Sequence, residues 1–327
     1  MDDRELHKEQ PWADMKIMSI EATNSHLLYA NGLQQVELLV RVLAIDENGH
    51  DAPISTQELQ SLELFDSRGA DIHIVAQEVL DSYNYKYGAP VDHKGWGWSY
   101  NRNTQFVPLP STGDAPSAVP PSTSEHERRV KIYLHTRTPE VLHVGFRITQ
   151  EAGAVFSSGE LAGGVARLSA IPRKVYRPHD YTFSNDHRRT ELNPNGHEVD
   201  FTCYTLSLFE NGAHVEFLTE YTVPKQRGML HLGKGIEEEG TYAGVALPGS
   251  DQFEVGYIEY AYIPRVPASA KKSGTFAIVL GWQKPLKRIG NHHAALQPIN
   301  VETVDTYGNA HNIRVAFAAE QQALTLF

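Results

Sequence analysis

Residues 24–49 read NSHLLYANGLQQVELLVRVLAIDENG, and this stretch decides how the rest of the chain is read. Between Gln35 and Ile45 the side chains alternate, with Val36, Leu38, Val40, Val42 and Ala44 on one face and Glu37, Leu39, Arg41, Leu43 and Ile45 on the other. A period of two in a run rich in β-branched residues predicts a strand, about 36 Å long at roughly 3.3 Å per residue. The first face is apolar throughout, so it is expected to be fully buried. The second starts polar and ends apolar, so its far end is expected to be covered as well. Ala30-Asn31-Gly32 and Asp46-Glu47-Asn48-Gly49 bracket the strand with residues that tolerate positive φ, as hairpin connections require.

The segment YANGLQQVELLVRVLAIDENGHDAP, within residues 24–53, resembles the opening of bacterial immunoglobulin-like domains of the invasin type. Those domains begin with an Ala-Asn-Gly turn, run through an alternating strand and reach an Asp-x-x-Gly turn. The resemblance implies a β-sandwich used in adhesion or as a spacer, and it carries over no catalytic residue.

A chain of 327 residues is long for one core and suggests two domains. The expected division is a flexible segment 1–14, an immunoglobulin-like sandwich over 15–172 with an insertion at 83–124, and a second sandwich over 173–327. Short alternating runs recur on either side of turn signals such as Glu210-Asn211-Gly212 and Asp305-Thr306-Tyr307-Gly308. Two segments have helical claims: Ser55 to Leu64, opened by the capping-box pattern Ser55-Thr56-Gln57-Glu58, and Ala316 to Leu324. The fold class expected is all-β, two sandwiches of immunoglobulin-like or jelly-roll-like kind with long loop insertions.

Net charge is −11, from 29 basic and 40 acidic side chains, which disfavours nucleic acid or an anionic membrane as a broad electrostatic partner. The longest apolar runs are strand-sized, so no membrane span is expected. The N-terminal residues MDDRELHKEQPWADMK contain no apolar stretch to serve as a secretory signal. The expectation is therefore synthesis in the cytoplasm, with any release or assembly into an extracellular particle by a route other than general secretion. Cys203 is the one cysteine, which excludes an intramolecular disulfide and reads as a small buried hydrophobe.

From Tyr83 to Phe106 aromatic residues crowd among glycines and asparagines. Tyr83, Tyr85, Tyr87, Trp96, Trp98 and Tyr100 are the candidate binding residues, because such rings stack on sugars or anchor a protein partner. The competing reading is that the insertion folds back and uses these rings as a private core. Pro108 to Ser124 has the composition of an extended linker.

No Gly-x-Ser-x-Gly, His-Glu-x-x-His or Walker pattern is present, and Gly233-Lys234-Gly235 lacks the residues that cradle phosphate. His179, His187 and His197 lie among Asp180, Asp186 and Asp200 and are the candidate metal ligands, against the plainer reading of a solvated, turn-rich interdomain connection. The Asp46 and Asp305 turns offer too few oxygens for calcium. The reading calls for no cofactor. It points to a non-enzymatic structural or interaction protein, a self-assembling or accessory component of a bacterial or phage particle with a protein partner or another copy of itself. A carbohydrate-binding module using Trp96 and Trp98, and a toxin or hydrolase with a dispersed active site, are the alternatives.

Overall fold

The computed structural model describes residues 12–67, 73–74, 95–110, 121–122, 124–232, 240–255, 258–259, 262–283, 287–288, 297–318 and 323–327. Strand accounts for 53% and helix for 6% of the structure, so the all-β expectation holds. Two compact units divide between Arg173 and Lys174.

Unit 1 contains β1 (Asp14–Ala22), β2 (Leu27–Tyr29), β3 (Val36–Ile45), β4 (Asp51–Ala52), α1 (Thr56–Gln60), β5 (Glu63–Asp66), β6 (His73–Ile74), β7 (Trp96–Ser99), β8 (Arg128–Thr136), β9 (Val141–Thr149), β10 (Val155–Ser157) and β11 (Ala166–Ile171). Its first sheet has the order β1-β3-β8-β7-β6, with β4 on the end of β3. In the second sheet Arg147 of β9 pairs with Glu63 on one side and Ser157 on the other, and Val144 pairs with Asp66 and Ala166. Consequently β10 and β11 share one edge of β9, β5 takes the other, and β2 closes the sheet parallel to β11.

Unit 2 contains β12 (Tyr181–Leu192), β13 (Glu198–Glu210), β14 (Ala213–Val215), β15 (Val223–Gln226), β16 (Gly228–Leu232), β17 (Gly240–Ala246), β18 (Ile258–Glu259), β19 (Phe276–Gln283), β20 (Lys287–Arg288), β21 (Ile299–Val304), β22 (Ala310–Phe317) and β23 (Leu324–Leu326). Its main sheets run β12-β13-β19-β17-β16, with β14 on the end of β13, and β15-β21-β22-β23. The two units thus repeat one strand order. A run of four strands, β1-β3-β8-β7 in unit 1 and β12-β13-β19-β17 in unit 2, packs against a second sheet containing β5-β9-β11 or β15-β21-β22, which is the order of an immunoglobulin-type sandwich. They differ at the closing strand: β2 comes from the start of unit 1, whereas β23 comes from the end of unit 2.

The alternation in β3 works as expected. Val36, Leu38, Val40, Val42 and Ala44 enter the core of unit 1 with Ile132 and Leu134 of β8 and with Leu142, Val144, Phe146 and Ile148 of β9. Each aliphatic side chain removed from water in this way contributes about 1.5–3 kcal/mol before entropy is counted. The opposite face of β3 is buried too, including Glu37, Leu39 and Leu43. At its start, Gln34 donates to the carbonyl of Val107 and Gln35 accepts from the amide of Asn103, tying the segment after β7 across the strand. The main sheet of unit 2 is likewise covered on both faces. Leu206, Leu208, Ile278 and Leu280 meet Ile299, Val301 and Val315 on one side. Phe201, Cys203 and Val279 meet Phe253, Val255 and Val266 on the other. Burial pushes the Cys203 thiol up to about 12, so it behaves as an inert hydrophobe.

One hairpin loop recurs. In residues 46–50, 193–197 and 305–309 the first residue, Asp46, Asn193 or Asp305, accepts with Oδ1 from the amides two and four positions on. Its own amide donates to the carbonyl four positions on, and a glycine with positive φ follows at the fourth place. Glu210-Asn211-Gly212 forms the expected tight turn, with φ of 50° at Asn211 and 80° at Gly212.

Several segments differ from the sequence expectation. The described residues of Ala316 to Leu324 are not helical: Ala316 and Phe317 end β22 and Leu324 opens β23, with Phe317 paired to Leu324. The helix at Ser55 forms, but only over Thr56–Gln60, with both halves of the capping box present. Phe253 and Val255 pack over the outer face of the main sheet of unit 2, which Gly228 and Gly244 let the chain approach closely. The polar stretch before Gly196 is largely the twelve-residue edge strand β12 rather than a turn-rich connection.

Candidate functional site

The aromatic candidates separate. Tyr83, Tyr85 and Tyr87 lie outside the described residues. Trp96 and Trp98 alternate on β7, which pairs with β8 so that Trp98 stands opposite Leu134. Both indoles therefore point into the sandwich, 7% and 0% exposed, and belong to the core of unit 1. They present no face to a ligand, and the surface role expected for them is corrected accordingly. Tyr100, just past the strand, is 45% exposed and rests edge-on against Trp98 with ring centroids 5.0 Å apart.

The histidine candidates do not meet. His179 lies in the short turn before β12, beside Asp180, and His197 in the hairpin loop after it. The twelve residues between the two turns extend about 40 Å, far beyond what one ion can bridge. His187 is on β12 itself, and its side chain is outside the described residues. Among the described residues no group of three or more metal-type side chains converges.

A different histidine is brought to a carboxylate. Asp305 and His311 stand on either side of the β21–β22 hairpin, and His311 Nε2 is 3.1 Å from Asp305 Oδ2 with both side chains fully buried. Tyr181, at the start of β12, places its hydroxyl 3.0 Å from His311 Nδ1. Burial first, then the charges of Asp180 and Asp305, push the Tyr181 phenol well above its ordinary range. It therefore stays protonated; the tautomer with Nε2–H facing the Asp305 carboxylate leaves Nδ1 to accept from the phenol hydroxyl. Tyr176 stacks on the imidazole at 4.8 Å and Phe217 meets it edge-on at 5.1 Å. Asp305 Oδ1 also accepts from the amides of Tyr307 and Asn309, and Oδ2 from the Asn309 side chain. Both carboxylate oxygens of Asp305 are thus engaged by N–H groups. The arrangement ties the start of β12 to the β21–β22 hairpin.

The exposed chemistry lies on the main sheet of unit 2. Phe276, Ile278, Leu280 and Trp282 share one face of β19, and the first three are in the core. Trp282, one step beyond, is 42% exposed. Its ladder partners are Asp200 and Thr241, themselves paired with Thr190 and His231. A single rung therefore runs Thr190, Asp200, Trp282, Thr241, His231 across five strands, with an indole at its centre and polar side chains beside it. Thr190 donates its hydroxyl to Asp200 Oδ1. Arg188 stands exposed one step along β12, paired with Thr202. The sequence carried a signal for this position: the apolar face of Phe276 to Leu280 continues into Trp282.

No helix among the described residues is long and apolar enough to cross a membrane. No protein-family model matches the chain, and no curated protein matches it in sequence. Among solved structures it is similar to the Yersinia pseudotuberculosis adhesin InvE, at 9% identity and a TM-score of 0.20, over 96% of this chain and 60% of that one. It is also similar to the C-terminal domain of the Streptococcus agalactiae AgI/II polypeptide BspA, at 9% identity and a TM-score of 0.23, over 90% of this chain and 97% of that one.

Proposed function

We propose that the chain is a non-enzymatic interaction protein that makes contact through the Trp282 rung. In this reading it is an accessory component of a bacterial or phage particle, made in a reducing cytoplasm, with unit 1 as spacer. The observation that carries the proposal is the exposure of Trp282 on a regular sheet face, where a large aromatic ring is left in water beside polar side chains. The buried Asp305 and His311 and the half-buried Tyr181 support it from the other side, since their hydrogen bonds are spent on one another and on the turn.

The test adds labelled wild-type chain and a Trp282→Ala variant of matching circular dichroism to envelope fractions and to particles from the producing cell. Wild type should bind one of them saturably, and the variant should lose that binding. Wild type that binds neither, or a variant that binds equally well, overturns the proposal.

A further inference from the structure

We infer that the ligand of the Trp282 rung is a carbohydrate, bound with a sugar ring stacked on the indole; this rests on the contact role proposed above. Four strand spacings of about 4.8 Å give the rung a length of roughly 19 Å, and alternate residues along a strand are about 7 Å apart. The rung is therefore a strip about 19 Å by 7 Å. It matches a short saccharide lying across the strands.

The chemistry around the ring points the same way. A pyranose offers an apolar face of C–H groups and a rim of hydroxyls that both donate and accept. Trp282 supplies the platform for the face. Asp200 supplies an acceptor, Thr190 and Thr241 supply hydroxyls, and His231 stands at the end of the same rung. Arg188, one step away on the same face, adds a donor that the carboxylate lacks. A few fixed polar groups around an aromatic surface orient a small ligand without a large buried area.

Trp12, Trp96 and Trp98 are buried, so a ligand-induced change in tryptophan emission reports on Trp282. The full chain is applied to an array of bacterial and host glycans, and hits are titrated by fluorescence, with chitotetraose, cellotetraose and maltotetraose as soluble probes. At least one glycan should bind, Trp282→Ala should weaken it about tenfold or more, as loss of an aromatic stacking platform does, and Trp282→Phe should restore part of the affinity. Asp200→Asn should weaken it without moving the emission of the free protein. In the envelope assay, periodate oxidation of the target's sugars should abolish binding. Binding that depends on Trp282 but survives periodate means a protein partner; it overturns the carbohydrate inference and leaves the contact role standing. An array with no hit, or hits indifferent to Trp282→Ala, also overturns it.

Discussion

Tyr181 and His311 lie 130 positions apart and are joined by a 3.0 Å hydrogen bond from the phenol hydroxyl to Nδ1. The bond latches the start of β12 to β22, and through His311 Nε2 it extends to the carboxylate that organises the β21–β22 turn. Tyr181→Phe should destabilise unit 2 by about 1–3 kcal/mol, since it leaves a ring nitrogen without its donor. His311→Ala should cost more, because it opens a cavity and strips a partner from a buried carboxylate. Urea unfolding followed by circular dichroism measures both, and an unchanged midpoint for Tyr181→Phe would show that the latch is not made.

Trp98 is fully buried in the core of unit 1. Trp98→Ala should cost about 3–5 kcal/mol through lost burial and the cavity left behind. The same substitution should leave envelope binding intact at temperatures where unit 1 remains folded. Loss of binding with full stability would return the ring to the surface role.

Acid should weaken unit 1 through Glu58. Burial alone would raise this carboxyl, but hydrogen bonds from Trp12 Nε1 and from the amides of Ser55 and Glu151 outweigh it and hold it below its ordinary range. A depressed acid stabilises the fold above its unfolded value, near 4.3, and that contribution is lost as pH falls through the lower folded value. Glu58→Gln should therefore lower the melting temperature at pH 7 and converge on wild type at low pH. Parallel curves from neutral to acid would contradict this.

Gly49 and Gly244 should respond to alanine for different reasons. Gly49 has φ of 82° with open space where a Cβ would stand, so Gly49→Ala should cost about 1 kcal/mol from backbone strain alone. At Gly244 a Cβ would strike Val255 and the backbone of Glu254. Gly244→Ala should lower the melting temperature further, by pushing the covering segment off the sheet. Equal shifts for the two variants would mean that the cover yields freely.

The strand Val36–Ile45, the capping box at Ser55 and the tight turn at Asn211-Gly212 were legible because each depends on neighbours within a few positions. Side-chain period and the φ preferences of glycine and asparagine are local properties, and they suffice for an all-β chain with these hairpins. What they do not carry is which face of an edge or inserted strand meets the core. Trp96 and Trp98 alternate with Gly97 and Ser99, a pattern with no polar face to orient it, and only the pairing of β7 with β8 turned the indoles inward. β12 reads as polar because an edge strand needs little apolar surface. His311 was unmarked in the sequence because its partner Tyr181 is a strand of another sheet, not a near neighbour. Trp282 continues an apolar face that the sequence shows plainly, yet its exposure follows from where the cover of that face stops. That limit is set by how far the second sheet extends, and it exists only once the two sheets have packed.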